Sequence, residues 1–176
     1  DVLLATASSG FDGGFKQFRE RVTRGEYPGC MRFVLEKDDL HVVEDPLTQC
    51  PDCPLSSEYS GRAGFCRRLS YEGKTYGILS VSVPREYASS EEEKDLFNEV
   101  AGDLAFALHK IEMAERLHKS EELLQAAAQA SMDSFIICRC DYDGDNDVID
   151  FIFEYINTKA AEMLQMKPAE IIGQRM

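Results

Sequence analysis

Residues 65–84 read Phe-Cys-Arg-Arg-Leu-Ser-Tyr-Glu-Gly-Lys-Thr-Tyr-Gly-Ile-Leu-Ser-Val-Ser-Val-Pro, and this stretch decides the fold class. Phe65 to Tyr71 has strand composition, Glu72-Gly73-Lys74 is a turn, and Tyr76 to Val83 returns as a second strand that Pro84 ends. Tyr76, Ile78 and the small residues between them turn one face to a core. Immediately afterwards the period changes. Ser90 with Glu93 three residues on forms a capping box, and Glu91 to Glu93 put negative charge where a helix dipole favours it. No Pro falls between 85 and 167, and no Gly between 102 and 144. A helix over about 90–130 follows, roughly 60 Å long at 1.5 Å per residue. A hairpin feeding so long a helix reads as α+β, with a coiled-coil-type linker helix.

Within that helix Val100, Leu104, Ala107, Ile111 and Ala114 recur at alternating steps of four and three, the spacing of a coiled-coil seam. Leu117, Glu121, Leu124 and Ala128 continue it with a shift of phase, so the register slips near Leu117. Two readings stand: a homodimer through the 96–128 helix, or a helix packed only on its own domain. The second weakens over 113–128, where charged residues fill the other faces.

Upstream of the hairpin, residues 2–7 (Val-Leu-Leu-Ala-Thr-Ala) read as a strand closed by a Ser-Ser-Gly turn. Phe15, Phe18 and Val22 mark a helix to Arg24 that Gly25 stops. Met31 to Lys37 is a short helix with Met31, Val34 and Leu35 on one face, Leu40 to Val43 a brief strand, and 49–64 a loop. Downstream, Phe135 to Cys140 and Val148 to Tyr155 are strands around an Asp/Gly/Asn turn at 141–147. Asn157 caps a helix over 160–166 with Ala161 and Leu164 inward, and Pro168 opens another short turn.

The 176 residues carry 32 acidic against 19 basic side chains, a formal charge of −13, with 44% hydrophobic residues. That is globular composition, and the length allows roughly one domain plus a fragment of a second. The acidic balance argues against broad nucleic-acid binding, which needs clustered Lys and Arg, and equally disfavours direct contact with an anionic membrane. No apolar run reaches the roughly 20 residues of a membrane span, and the N-terminus lacks signal-peptide character. A soluble cytoplasmic module is the expected class.

The chemistry-bearing residues are mainly cysteines. Cys50-x-x-Cys53 is a compact pair, with Cys30 and Cys66 on either side. Four thiolates suit a tetrahedral zinc or iron–sulfur site, or a redox-sensing dithiol pair. A strong zinc signal shows two Cys-x-x-Cys pairs where this chain has one, so packing and loop geometry stand as the alternative. Cys138 and Cys140 read as buried small hydrophobes. Tyr59, Phe65, Tyr76 and Ile78 could line a small-molecule pocket or simply fill a core. Asp141, Asp143 and Asp145 match the first positions of a calcium loop, but Asn146 and Ile152 stand where it needs Gly and Glu, so a hairpin turn is the better reading. His41, His109 and His118 have no nucleophile elbow or acceptor motif beside them, and no phosphate-cradling glycine loop appears. No active site is found.

The stretch Cys50-Pro-Asp-Cys-Pro-Leu with the following Ser-Gly-Arg, then Leu69 to Pro84, resembles the C-terminal part of a GAF domain. Residues 91–112 are similar to the helix closing that domain in bacterial and archaeal sensor histidine kinases. Phe153-Glu-Tyr-Ile-Asn with Ala160-Ala-Glu-Met-Leu, and Pro168-Ala-Glu-Ile-Ile-Gly, resemble the opening half of a PAS domain. The resemblance implies an α+β fold: a GAF-like sensory domain over 1–112, N-terminally truncated, with an antiparallel sheet and flanking helices, a signalling helix over 113–130, and the N-terminal half of a PAS domain over 131–176 as a partial α/β unit. Against those patterns the chain begins after the first GAF helix and strand and stops before the later PAS strands.

The resemblance further implies a sensory module of a two-component sensor histidine kinase, coupling a small-molecule, redox or metal/haem signal to a kinase through a dimeric helix. Any kinase activity then resides in parts of the parent outside these residues, so this fragment itself is not expected to be an enzyme. Some such GAF domains bind haem through cysteine or histidine. By residue type, Cys66, Tyr59 and His109 are the cofactor candidates, with Cys30, Cys50 and Cys53 as metal candidates; haem, zinc, an iron–sulfur cluster or no cofactor all remain open. The alternatives keep the same sensor core feeding a diguanylate cyclase or a transcription regulator, or make the chain a purely structural dimerisation segment.

Overall fold

The computed structural model describes residues 6–10 and 13–176, in two compact units that divide between Glu112 and Met113. The expected strand over 2–7 lies largely outside the described residues, and Thr6 and Ala7 carry no strand. The protein is α+β, and its described residues form two small antiparallel sheets and one long helix. Among the described residues no helix is long and apolar enough to cross a membrane.

The first unit opens with α1 (Gly14–Thr23) and α2 (Gly29–Glu36). Gly25 takes φ +81°, the left-handed conformation that ends α1. Met31 and Val34 are buried, whereas Leu35 faces outward, so the inner stripe of α2 is narrower than its sequence predicts. β1 (His41–Val43) leads to α3 (Pro46–Gln49), begun by a proline in the first turn, where the missing N–H costs nothing. The expected loop over 49–64 thus contains the end of α3, a 3-10 turn (Ser56–Tyr59) and the start of the next strand.

β2 (Arg62–Tyr71) and β3 (Lys74–Pro84) form the predicted hairpin, three residues longer at its start than expected. Its turn has two residues, Glu72 and Gly73, both at positive φ, which matches the twist of the strands. The sheet order is β1-β2-β3, all antiparallel. Odd-numbered β2 residues face α4 (Glu91–Ala130): Phe65 packs on Phe97 with ring centroids 5.6 Å apart, and Leu69 packs on Ala101 and Ala105. Ser90 Oγ accepts from Glu93 N–H at 3.3 Å, the predicted N-cap.

Apolar residues of α4 occupy two faces. Phe97, Ala101 and Ala105 are buried, while Val100, Leu104, Ile111, Leu117 and Leu124 are exposed. Burying one stripe and leaving another in solvent is more than packing on one sheet requires.

The second unit pairs β4 (Ile136–Tyr142) with β5 (Val148–Ile156) and adds α5 (Thr158–Leu164) and α6 (Pro168–Ile171). Ile156, Ala160, Ala161 and Ile171 form its core, with Phe153 against it. Leu164 faces solvent, contrary to the helical pattern, and Cys138 and Cys140 are only half-buried because this sheet has two strands. The acidic run is a turn: Asp143 Oδ1 accepts from the N–H groups of Asp145 and Asp147, each at 2.9 Å.

Candidate functional site

The even-numbered residues of β2 face away from α4, and Cys66 is one of them. Arg68 on the same face reaches the carbonyl of Leu35 in α2 at 3.1 Å, which puts α2 over this side of the sheet. Cys30 sits in the first turn of α2. Cys50 is the C-cap of α3, its N–H bonded to the Pro46 carbonyl at 3.0 Å, and Cys53 N–H closes the next turn on the Cys50 carbonyl at 3.0 Å. Cys-Pro-Asp-Cys is thus a tight turn that directs both thiols toward the sheet.

α1 closes on this turn through Gly14. Its N–H donates to Glu58 Oε1 at 2.8 Å, and a Cβ there would lie 2.8 Å from the Pro54 carbonyl oxygen, so only glycine permits the approach. Arg21 of α1 donates to the Asp52 carbonyl, and Arg32 of α2 pairs with the Asp52 carboxylate at 3.6 Å. Two helices are pinned to Asp52, one of the two residues between the cysteines.

Cys30, Cys50, Cys53 and Cys66 line one apolar cavity of about 60 Å³, with Tyr59, Phe65 and Ser80 among its other walls. Cys50 and Cys66 are buried, Cys30 and Cys53 partly exposed, and all are free thiols. Of the aromatic candidates Tyr59 and Phe65 are in the lining; Tyr76 and Ile78 are not. Burial pushes the Tyr59 hydroxyl well above its ordinary range.

The thiols form a chain. Cys30 interacts electrostatically with both Cys50 and Cys66. The Cys66 thiol is held below its ordinary value by the interaction with Cys30, against the effect of burial, and Ser80 Oγ adds a hydrogen-bond donor at 3.1 Å. For Cys30 the interaction with Cys50 lowers the value, but that with Cys66 and burial outweigh it, and the thiol is pushed up to about 12. Cys50 at the far end is raised further, by its interaction with Cys30 and by burial. Burial likewise raises Cys53, partly offset by the Leu55 N–H. Negative charge therefore settles on Cys66 first.

The structure does not bring His109 to these cysteines. It lies on the α4 side of the sheet, its ring tilted against Tyr71 with centroids 4.9 Å apart, and Nδ1 2.8 Å from the Tyr76 hydroxyl. Tyr76 donates to Glu112 Oε2 at 3.0 Å, and Glu112 also pairs with Lys74. This network pins α4 to the hairpin end. Among the described residues no group of three or more His, Cys, Asp or Glu side chains is arranged to hold a metal ion. A cavity of about 60 Å³ also falls well below the 300–1,000 Å³ of ordinary cofactor pockets, so a haem does not fit it in this conformation.

Ser80 is the site residue that sequence reasoning missed. Its only signal was position across the hairpin from Cys66, and that depends on a bulge between Leu69 and Ser70.

No family model matches the chain, and no curated protein matches it. Among solved structures, the crystal structure of the E. coli DhaR(N)–DhaL complex is similar at 18% identity and a TM-score of 0.45, over 66% of this chain. The match spans 37% of the chain in that structure.

Proposed function

We propose that this chain is the sensory module of a signalling protein, with a GAF-like unit over 1–112, a signalling helix over 113–130 and a PAS-like segment over 131–176. A small-molecule or redox signal is received at the thiol cavity, and α4 carries the response toward an output domain. The observation that supports this reading is the position of the cavity, on the face of β2 opposite the one that seats α4. Cys66 lines the cavity, and the consecutive Phe65 both borders the cavity and packs on Phe97 of α4. A ligand or bond formed at Cys66 displaces β2, and the close seating of Ala101 and Ala105 transmits that displacement to α4.

The second half of the reading is a homodimer through the exposed stripe of α4, where Leu104 is 41% and Ile111 55% exposed. Two copies pairing along that stripe bury it, and the phase shift near Leu117 supplies two alternative packings for a signal to choose between. The resemblance to sensor-kinase GAF and PAS segments supports a histidine kinase as the output.

Sedimentation of the chain and of a Leu104→Asp/Ile111→Asp variant tests this. A dimer that becomes a folded monomer in the variant supports it. A monomeric wild-type chain sinks the helix-dimer mechanism.

A further inference from the structure

We propose that Cys66 and Cys30 are a hydroperoxide-oxidisable thiol pair, Cys66 attacking the oxidant in the apolar cavity and Cys30 closing the disulfide. This deepens the sensory reading above by naming the chemical class of the signal.

Four observations converge. Ser80 Oγ donates to the Cys66 sulfur at 3.1 Å, and Cys30 lines the same cavity and favours the Cys66 thiolate, an arrangement that stabilises negative charge on that sulfur. Cys66 is 2% exposed, so bulk solvent and large reagents do not reach it, while Cys30 is partly exposed. The cavity of about 60 Å³ has room for a few water-sized atoms, which suits a peroxide group and not a chromophore. Cys30 and Cys66 line the same small cavity, so a disulfide forms when their sulfurs close across it to about 2.05 Å.

The chemistry balances with hydrogen peroxide as the oxidant. The Cys66 thiolate attacks one peroxide oxygen, the O–O bond breaks, and Cys66 becomes a sulfenic acid. The departing hydroxide takes the proton of the Cys30 thiol and leaves as water. The Cys30 thiolate then attacks the Cys66 sulfur, forming the S–S bond and expelling a second hydroxide, which takes up the proton that Cys66 first released. Two thiols are oxidised to one disulfide, and the peroxide is reduced to two waters.

Trypsin separates the partners, because Cys30 falls in the fragment 25–32, Cys50 and Cys53 in 38–62, and Cys66 in 63–67. The reduced full chain is treated with hydrogen peroxide, alkylated, digested without reductant and mapped by mass spectrometry. The expected product joins 25–32 to 63–67 within one chain and disappears on reduction. A link from 25–32 to 38–62, a loop within 38–62, or full alkylation of all thiols overturns the assignment. In Cys30→Ser, dimedone added with denaturant immediately after the peroxide should label Cys66; labelling of any other cysteine instead also overturns it. Sedimentation of the oxidised and reduced chain separates the two readings. A Cys30–Cys66 link with unchanged assembly leaves the pair standing and removes its coupling to α4, whereas no link in a dimeric chain removes the pair and leaves the dimer.

Discussion

Asn157 Nδ2 donates to the carbonyl of Ala128 at 2.9 Å, so the last turn of α4 is held by the N-cap residue of α5. The same amide donates to the Asp133 carbonyl at 2.9 Å, and its Oδ1 accepts from the N–H groups of Phe135 and Ala160, both at 3.0 Å. Asn157 is fully buried with all four bonds made, and it fixes the path of the chain from α4 into β4.

Asn157→Ala removes the cap and leaves two carbonyls and two N–H groups without their partner. The expected cost is roughly 2–4 kcal/mol, confined to the second unit. Hydrogen exchange should accelerate at residues 131–161 and leave β2 and β3 unchanged. Equal acceleration in both units would show that Asn157 does not act locally.

The two faces of α4 should respond oppositely to substitution. Ala101 and Ala105 are each 1% exposed against Leu69. Ala101→Leu inserts volume with nowhere to go and should cost about 1–3 kcal/mol in thermal unfolding of the first unit. Leu104→Asp, three residues on, should alter stability of the monomer by no more than about 0.5 kcal/mol, since it touches no core. Reversal of that order would mean that the inner and outer stripes are misassigned.

The pH dependence of the first unit should have two arms. Desolvation holds His41, stacked on Phe33 at 4.2 Å, below its ordinary value of 6.5. The folded form therefore binds this proton less readily than the unfolded chain, and its contribution is complete above 6.5 and lost as pH falls below it. Cys30, Cys50 and Cys53 are raised above their ordinary 9.0. Their contribution is complete below that value and lost as pH rises past it; Cys66, lowered, gives back only part. Urea melts of the reduced protein should show a maximum between these limits. His41→Phe should flatten the acid arm alone, and an unchanged acid arm would assign it elsewhere.

The hairpin and the long helix were legible because each is written locally: a Glu-Gly turn at positive φ, a serine cap, and a run without glycine or proline. α3 and the 3-10 turn at 56–59 were not, because four-residue helices carry no period to detect. Spacing places Leu35 and Leu164 inward, yet both face solvent, since a short helix buries only the part of its stripe that meets a neighbour. The convergence of Cys30, Cys50, Cys53 and Cys66 was open to guess from residue type, but not the order of the thiols or the placement of His109 on the other face. Those depend on alternation along β2, and on a bulge. Unbroken pairing from the Tyr71–Lys74 end would set Leu79 opposite Cys66; the bulge at Leu69/Ser70 sets Ser80 there instead.

That one-residue displacement gives the last prediction. Ser80→Ala keeps the strand and its register but deletes a hydroxyl donor to the Cys66 sulfur. The interaction with Cys30 is the larger support and remains, so the thiol should rise toward its ordinary value without reaching it. Since a lowered group is ionised from its own value upward, alkylation of Cys66 by a small haloacetamide should require higher pH in the variant than in the wild type. Ser80→Thr retains the hydroxyl and should restore the wild-type profile, whereas Ser80→Val, of similar shape, should not. If alanine, threonine and valine give the same pH profile, the hydroxyl does not act on the thiol, and the low value of Cys66 rests on Cys30 alone.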